Sequence, residues 1–205
     1  MKQNEEFLAY LKEIKKDRQE VRDLFERFYT LLREENQKIN LFSRKMDIQD
    51  IWTIHFLDSL TLSEVYSNIE KELILDFGTG GGMPGIPLNI VFPDNRFVFL
   101  DSIHKKINSV KNFCKMLDLN SCDFVCSRIE DIDSVWFGKF DRIVCRSVRV
   151  TPQFKDVLLR LLKPCGILNL YKAVALEDAM LFDKVQIFDV SKPALGERKI
   201  IEIRK

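Results

Sequence analysis

Leu73-Ile74-Leu75-Asp76-Phe77-Gly78-Thr79-Gly80-Gly81-Gly82-Met83-Pro84-Gly85 decides the fold. A short apolar run, the length of a buried strand, enters a glycine loop that opens a helix predicted over Pro84–Val91. Strand, glycine turn and helix in that order begin an open α/β sheet, in which ligands bind beyond the carboxyl ends of the strands. The chain holds 8 glycines in 205 residues, and five of them fall between Gly78 and Gly85. Glycine is required where φ is positive or where a ligand must approach bare backbone. The cluster therefore marks a binding turn.

C-terminal to this stretch, short apolar runs alternate with amphipathic segments. Further strands are predicted over Arg96–Asp101, Asp123–Cys126, Phe140–Cys145, Gly166–Tyr171, Lys184–Val190 and Lys199–Arg204, besides Leu73–Phe77 itself. Helices are predicted over Ile103–Leu117, Pro152–Leu162 and Ala175–Leu181. The alternation implies a mostly parallel, doubly covered sheet of seven strands. No clear helix separates the last two strands, which are expected to pair antiparallel. N-terminal to the stretch, residues 5–68 read as helical. Phe7, Leu8, Leu11 and Ile14 recur at helical spacing, as do Val21, Leu24, Phe25, Phe28, Leu31 and Leu32. Asn36 to Ser43 reads as irregular, and Asp47 as the cap of a helix carrying Ile51, Trp52, His55, Phe56 and Leu60.

Composition narrows the class. Thirty-two basic and 31 acidic residues give a net charge of +1, which by itself argues neither for nor against a nucleic-acid partner. The second half is mildly basic, with nine basic and seven acidic groups in 101–150 and ten and seven in 151–205. Five cysteines, an odd number without a CxxC pair, read as reduced and mostly buried thiols of a cytoplasmic protein, and no zinc site is expected. The polar start, Met1 to Glu6, reads as no leader peptide, and no apolar run suits a membrane span.

Two acidic positions accompany the loop. Asp101 ends the second strand, where a carboxylate can accept hydrogen bonds from both hydroxyls of a ribose or cap the following helix. Ser127-Arg128-Ile129-Glu130-Asp131 follows the third strand and faces the base of a bound nucleoside in this architecture. Gly80-x-Gly82-x-x-Gly85 satisfies the dinucleotide fingerprint literally. However, Pro84 offers no N–H to a pyrophosphate, and Asp76 before the loop would repel phosphate and favour a cation. S-adenosylmethionine has no phosphate and carries an ammonium and a sulfonium, so the local charge favours it over NAD. The loop glycine Gly80 and Asp101 are assigned to its pocket.

The sequence also resembles the bacterial small-subunit ribosomal RNA guanine-N7 methyltransferases, the glucose-inhibited division protein B family. The likeness lies in Asn40-Leu41-Phe42-Ser43, in His55-Phe56-Leu57-Asp58-Ser59-Leu60 and in Leu75 to Leu88. It continues in Asp101-Ser102 with Lys105-Lys106, in Ser127 to Glu130, in Phe140-Asp141 and in Cys145-Arg146-Ser147. The closing segments Glu197-Arg198-Lys199 and Ile203-Arg204-Lys205 complete it. The resemblance implies a class I S-adenosylmethionine-dependent methyltransferase fold, Rossmann-like, with an antiparallel last strand. It implies a core over 71–205 and an N-terminal helical extension over 1–70. The implied acceptor is a guanine of 16S ribosomal RNA in the small subunit, and the implied cofactor contacts are Gly78, Met83, Ile129, Glu130 and Arg146. Ser147 stands where the family usually has alanine, and Ala173 where it tends to have glycine.

Guanine N7 carries a free lone pair, so its methylation needs no general base, only alignment. Arg146 is assigned the positioning role. RNA phosphates are assigned to Arg149 and Lys172 first, then to Lys105 and Lys106, with Lys111, Lys115 and Arg142 as further candidates. His55 and Asp58, three residues apart, either hold the extension to the sheet or line the RNA cleft, and the first reading is favoured. The protein is expected to be a cytoplasmic monomer without metal or membrane contact. Two other readings are an NAD-dependent oxidoreductase, for which no Tyr-x-x-x-Lys pair is present, and a non-catalytic assembly factor that binds S-adenosylmethionine.

Overall fold

The computed structural model describes residues 2–43 and 46–205; Met1, Arg44 and Lys45 of the expected extension lie outside the described residues. Seven strands form one sheet: β1 Leu73–Phe77, β2 Arg96–Asp101, β3 Cys122–Cys126, β4 Phe140–Arg146, β5 Leu162–Lys172, β6 Val185–Asp189 and β7 Lys199–Arg204. Their order is β3-β2-β1-β4-β5-β7-β6. All pairings are parallel except those of β7, which runs antiparallel to both β5 and β6. The order reverses direction between β1 and β4, which opens a crevice at the carboxyl edge there.

Helices cover both faces: α1 Lys2–Glu13, α2 Gln19–Lys38, a composite α3 over 48–65, α4 Gly85–Val91, α5 His104–Met116 and α6 Pro152–Leu161. One face meets α1 to α5. Phe7, Phe25, Phe28, Trp52 and Phe56 pack there as a contiguous aromatic group, with Phe25 and Phe56 ring centroids 5.2 Å apart. Each fully buried phenylalanine contributes about 1.5–3 kcal/mol through removal of its surface from water. The other face meets α6 through an apolar cluster that includes Leu75, Val98, Ile143, Leu168 and Ile201. The face under the N-terminal helices carries buried polar groups. Arg142 donates to Glu72 at 2.7 Å and to Asn169 at 2.7 Å, and Tyr66 donates to Glu202.

Three sequence expectations change. The helix predicted over Ala175–Leu181 reduces to one 3₁₀ turn, Ala179–Leu181. Leu176, Ala179 and Leu181 pack against the core, and Asp178 accepts from Val150 N at 2.9 Å and pairs with Lys172, so the segment is pinned by tertiary bonds instead of helical ones. The irregular stretch predicted from Asn36 begins later, because α2 runs through Lys38. Asn36 is buried and its Oδ1 accepts from Leu41 N at 2.8 Å and Phe42 N at 3.1 Å, which folds the chain back after the helix. The cysteines are not mostly buried: Cys114 and Cys145 are, whereas Cys126 and Cys165 are exposed.

The helix after Asp47 is also not uniform. Asp47 caps it, accepting from Gln49 N at 2.9 Å, but Ile48–Asp50 is 3₁₀, Ile51–Leu57 is π-helical, and Asp58–Leu60 and Leu62–Val65 are α-helical. Such widened turns release carbonyls from the regular ladder. Here the Ile54 and His55 carbonyls accept from Arg146 Nη1 at 3.2 and 3.3 Å.

Candidate active site

The glycine loop leaves β1 and its shape is set from beneath by Asp76. Asp76 is fully buried, and its Oδ2 accepts from Thr79 Oγ1 at 2.6 Å and from Gly85 N at 3.0 Å. Burial pushes its carboxyl up to about 7, against the lowering pull of those two donors. This corrects the sequence reading of Asp76 as a charge facing the ligand: it lines neither of the two cavities described below and serves the loop. A Cβ on Gly85 would lie 2.6 Å from Asp76 Oδ2, so the carboxylate occupies the space a side chain would need. The Gly85 N–H is already engaged, which leaves that helix start without the donor a pyrophosphate would use.

Above the loop, Gly78 has φ +71°, and a Cβ there would stand 2.4 Å from Val148 Cγ2. Val148 reaches it because Ser147, just past β4, adopts a left-handed conformation (φ 60°). Between them opens a cavity of about 560 Å³, within the range of roughly 300–1,000 Å³ usual for small-molecule sites. The structure brings Gly78, Gly80, Met83, Asp101, Ile129, Glu130 and Arg146 together as lining of this one cavity, with Lys106 at its edge. Asp101 Oδ2 accepts from Gly80 N at 3.0 Å and Oδ1 from Ile103 N at 2.9 Å, which ties the loop to the end of β2. Each carboxylate oxygen keeps a further lone pair for a ligand hydroxyl.

Sequence reasoning missed the cover. Leu32 from α2, and Leu41 and Phe42 from the turn after it, also line the cavity, and a Cβ on Gly81 would sit 3.3 Å from Leu32 Cδ1. The only sequence signal was the segment Asn40 to Ser43, quoted above for its family likeness.

A second cavity of about 470 Å³ adjoins the first and shares His55, Arg146, Ser147 and Val148 with it. Its rim carries Arg149, Lys172, Arg198 and Lys199. Arg149 is exposed. Lys172 is paired with buried Asp178, so much of its charge is locally balanced. Lys105, Lys111 and Lys115 lie exposed on α5, outside both cavities. Arg142 is not a phosphate contact: its side chain is 3% exposed and paired with Glu72 beneath the sheet face. Arg198, which sequence reasoning placed only within a family likeness, joins the site through β7.

Where the cavities meet, one carboxylate holds two guanidinium groups. Asp58 Oδ2 accepts from Arg146 at 2.9 Å and Oδ1 from Arg198 at 3.0 Å. Arg146 Nη2 lies 3.1 Å from His55 Nδ1. Burial, with the nearby Arg146 charge, pulls the His55 ring down to about 3. His55 and Asp58 thus do hold the extension to the sheet, and they also line the second cavity, with His55 lining both. Among the described residues no group of three or more His, Cys, Asp or Glu is arranged to hold a metal ion, and no helix is long and apolar enough to cross a membrane.

The family model described as GidB, rRNA small subunit methyltransferase G, matches residues 21–194. The chain belongs to that family. A relative from Flavobacterium psychrophilum named ribosomal RNA small subunit methyltransferase G is 37% identical over 175 residues, covering 82% of this chain and 81% of its own. Another of the same name, from Flavobacterium johnsoniae, is 36% identical over 188 residues, covering 88% of this chain and 87% of its own. Among solved structures, a protein described as a SAM dependent methyltransferase from Aquifex aeolicus superposes with a TM-score of 0.60 at 16% identity, over 83% of this chain and 97% of its own. That likeness shows the fold, a seven-stranded sheet of methyltransferase topology.

Proposed function

We propose that the protein is an S-adenosylmethionine-dependent methyltransferase that modifies N7 of a guanine in small-subunit ribosomal RNA. The observation that supports this reading is the meeting at Arg146 of two cavities, one built on the glycine loop and one with a cationic rim. One is bedded on glycine backbone and edged by Asp101 and Glu130; the other is rimmed by Arg149, Arg198 and Lys199. The residues present fit the cofactor. The Gly78 position would be filled by any Cβ, the carboxylates suit ribose hydroxyls and a cationic ligand, and the helix start offers no phosphate donor. When bound, S-adenosylmethionine supplies a methyl group on a sulfonium, which a free lone pair takes up in line while the departing electron pair stays on sulfur.

The chain's own part is positional. Gly78, Gly80 and Met83 form the bed, Asp101 takes the ribose, and Ile129 with Glu130 borders the base. Arg146 holds the junction through which the methyl must pass, and Arg149, Arg198 and Lys199 attract the RNA backbone. No residue has to accept a proton, and His55, held near 3, is too weak a base to do so at neutral pH. Residues 1–70 act as an extension that covers the cofactor and residues 71–205 as the catalytic core, in a cytoplasmic monomer.

The test uses small subunits from a strain lacking this gene. Incubation with the protein and S-adenosylmethionine should place 7-methylguanine in the ribosomal RNA, and S-adenosylhomocysteine should bind in a calorimetric titration. Binding without methyl transfer would favour the assembly-factor reading. Absence of both would end the methyltransferase reading.

A further inference from the structure

His55 carries a buried polar atom that its role as a strut leaves unexplained. Its Nδ1 faces Arg146 Nη2 at 3.1 Å, and a guanidinium can only donate. Nδ1 must therefore accept, and the ring's single proton resides on Nε2 as long as the ring is neutral, which its depressed pKa ensures. Nε2 is buried and has no hydrogen-bond partner among the described residues. A buried N–H without an acceptor is costly to leave unmade. Yet the surroundings fix it firmly. Asp58 clamps Arg146, Arg198 clamps Asp58 from its other oxygen, and the Phe42 ring lies 5.2 Å from the imidazole. Nε2 itself has no accessible surface, so its N–H, in a residue lining both cavities, is suited to an acceptor that a ligand brings as it displaces the packing over the ring.

We propose that His55 orients the acceptor base by donating its Nε2–H to O6 of the guanine whose N7 is methylated. The proposal rests on the functional reading above and extends it to how the base is chosen. N7 must face the cofactor cavity, so the edge of the base that carries N7 meets the junction. On that edge guanine presents O6, an acceptor, beside N7, whereas adenine presents an amino donor at the same place. An N–H at the junction therefore welcomes guanine and opposes adenine. Neutrality of the ring also matters: methylation leaves a positive charge on the base, and an imidazolium at O6 would resist it, while a neutral N–H does not. The step moves no proton; His55 keeps its hydrogen throughout.

Three measurements on the full chain test this. Nitrogen-15 spectra of the imidazoles, with His104 as the only other histidine, should show His55 neutral and protonated on Nε2. In single-turnover assays on unmodified small subunits, His55→Met should lower the rate about tenfold or more, the loss of one positioning hydrogen bond, while S-adenosylhomocysteine affinity stays within about threefold. His55→Gln keeps an acceptor for Arg146 and an N–H in place of Nε2–H, and should recover most of the rate. A Met variant as fast as wild type, a Gln variant as slow as Met with its cofactor binding intact, or a ring protonated on Nδ1 would overturn the proposal. Where Met also loses cofactor binding, the spectra and the Gln variant decide. Wild-type protein that binds the cofactor analogue but leaves guanine N7 unmodified would instead overturn the functional reading, and this one with it.

Discussion

The larger cavity draws its bed from one contiguous loop and its edges from the ends of neighbouring strands, whereas the smaller one is walled by side chains from four separated stretches: 54–61, 146–149, 171–178 and 198–199. Glycine backbone, apolar side chains and the Asp101 and Glu130 carboxylates line the first, with Lys106, Arg128 and Arg146 beside them; guanidinium and ammonium groups rim the second. The difference follows from what each must hold. A small cofactor can be gripped by main chain at fixed spacing. An RNA segment is large and anionic, and is met by long cationic side chains spread over a surface. The two share a wall of His55, Arg146, Ser147 and Val148, in which Arg146 is held by Asp58 and lies against His55.

The largest break in this comparison should come from Gly78→Ala. The substitution forces a left-handed alanine and drives its Cβ to within 2.4 Å of Val148 Cγ2. S-adenosylhomocysteine affinity in calorimetry should fall by about a hundredfold, or roughly 2.7 kcal/mol. Binding to small subunits should change little, because the cationic rim is untouched. Equal loss of both would mean that the cavities do not act separately.

Arg198→Ala should do the reverse at smaller scale. Binding to small subunits should weaken about tenfold at low salt, and the slope of log affinity against log salt should shrink by about one. Cofactor-analogue affinity should hold, since Asp58 keeps Arg146 as its partner. An unchanged salt slope would remove Arg198 from the RNA surface.

Asp76→Asn should have the smallest effect on ligand binding, because an amide oxygen can accept the same bonds from Thr79 and Gly85. Its signature lies in stability against pH. The native carboxyl titrates near 7 instead of its ordinary 3.8, so between those values the folded state holds a proton that the unfolded state has lost. Wild-type stability is thus fullest below about pH 3.8 with respect to this group and declines as pH rises through about 7. The asparagine variant lacks that decline, so urea denaturation at several pH values should show it gaining on wild type across the window. Parallel curves would show that Asp76 ionises freely in the fold.

Much of the larger cavity was legible because its key residues lie close to the loop or follow strand ends at regular intervals. Asp101 illustrates this: position after a strand was enough to find it. Asp76 illustrates the limit. Its sequence position is as suggestive as that of Asp101, but strand alternation sends it under the loop, where it accepts from Gly85 N, and away from the cavity. Arg142 shows the same effect on β4: it and Arg146 share a sheet face four residues apart, yet Arg142 is sealed beneath Tyr66 and Glu72 while Arg146 reaches the carboxyl edge.

The sequence by itself determined the alternating α/β order, the strand that enters the glycine loop, the antiparallel close of the sheet and the family. These rest on local periodicity and on residue types demanded by backbone geometry, both of which are written in consecutive residues. Only the tertiary structure decided which charges face a ligand and which are spent inside. Asp58, Arg146 and Arg198 are 88 and 52 residues apart along the chain, and β7 must turn antiparallel beside β5 before Arg198 can reach Asp58. Such a pairing depends on three-dimensional proximity and desolvation, neither of which is a property of neighbouring residues.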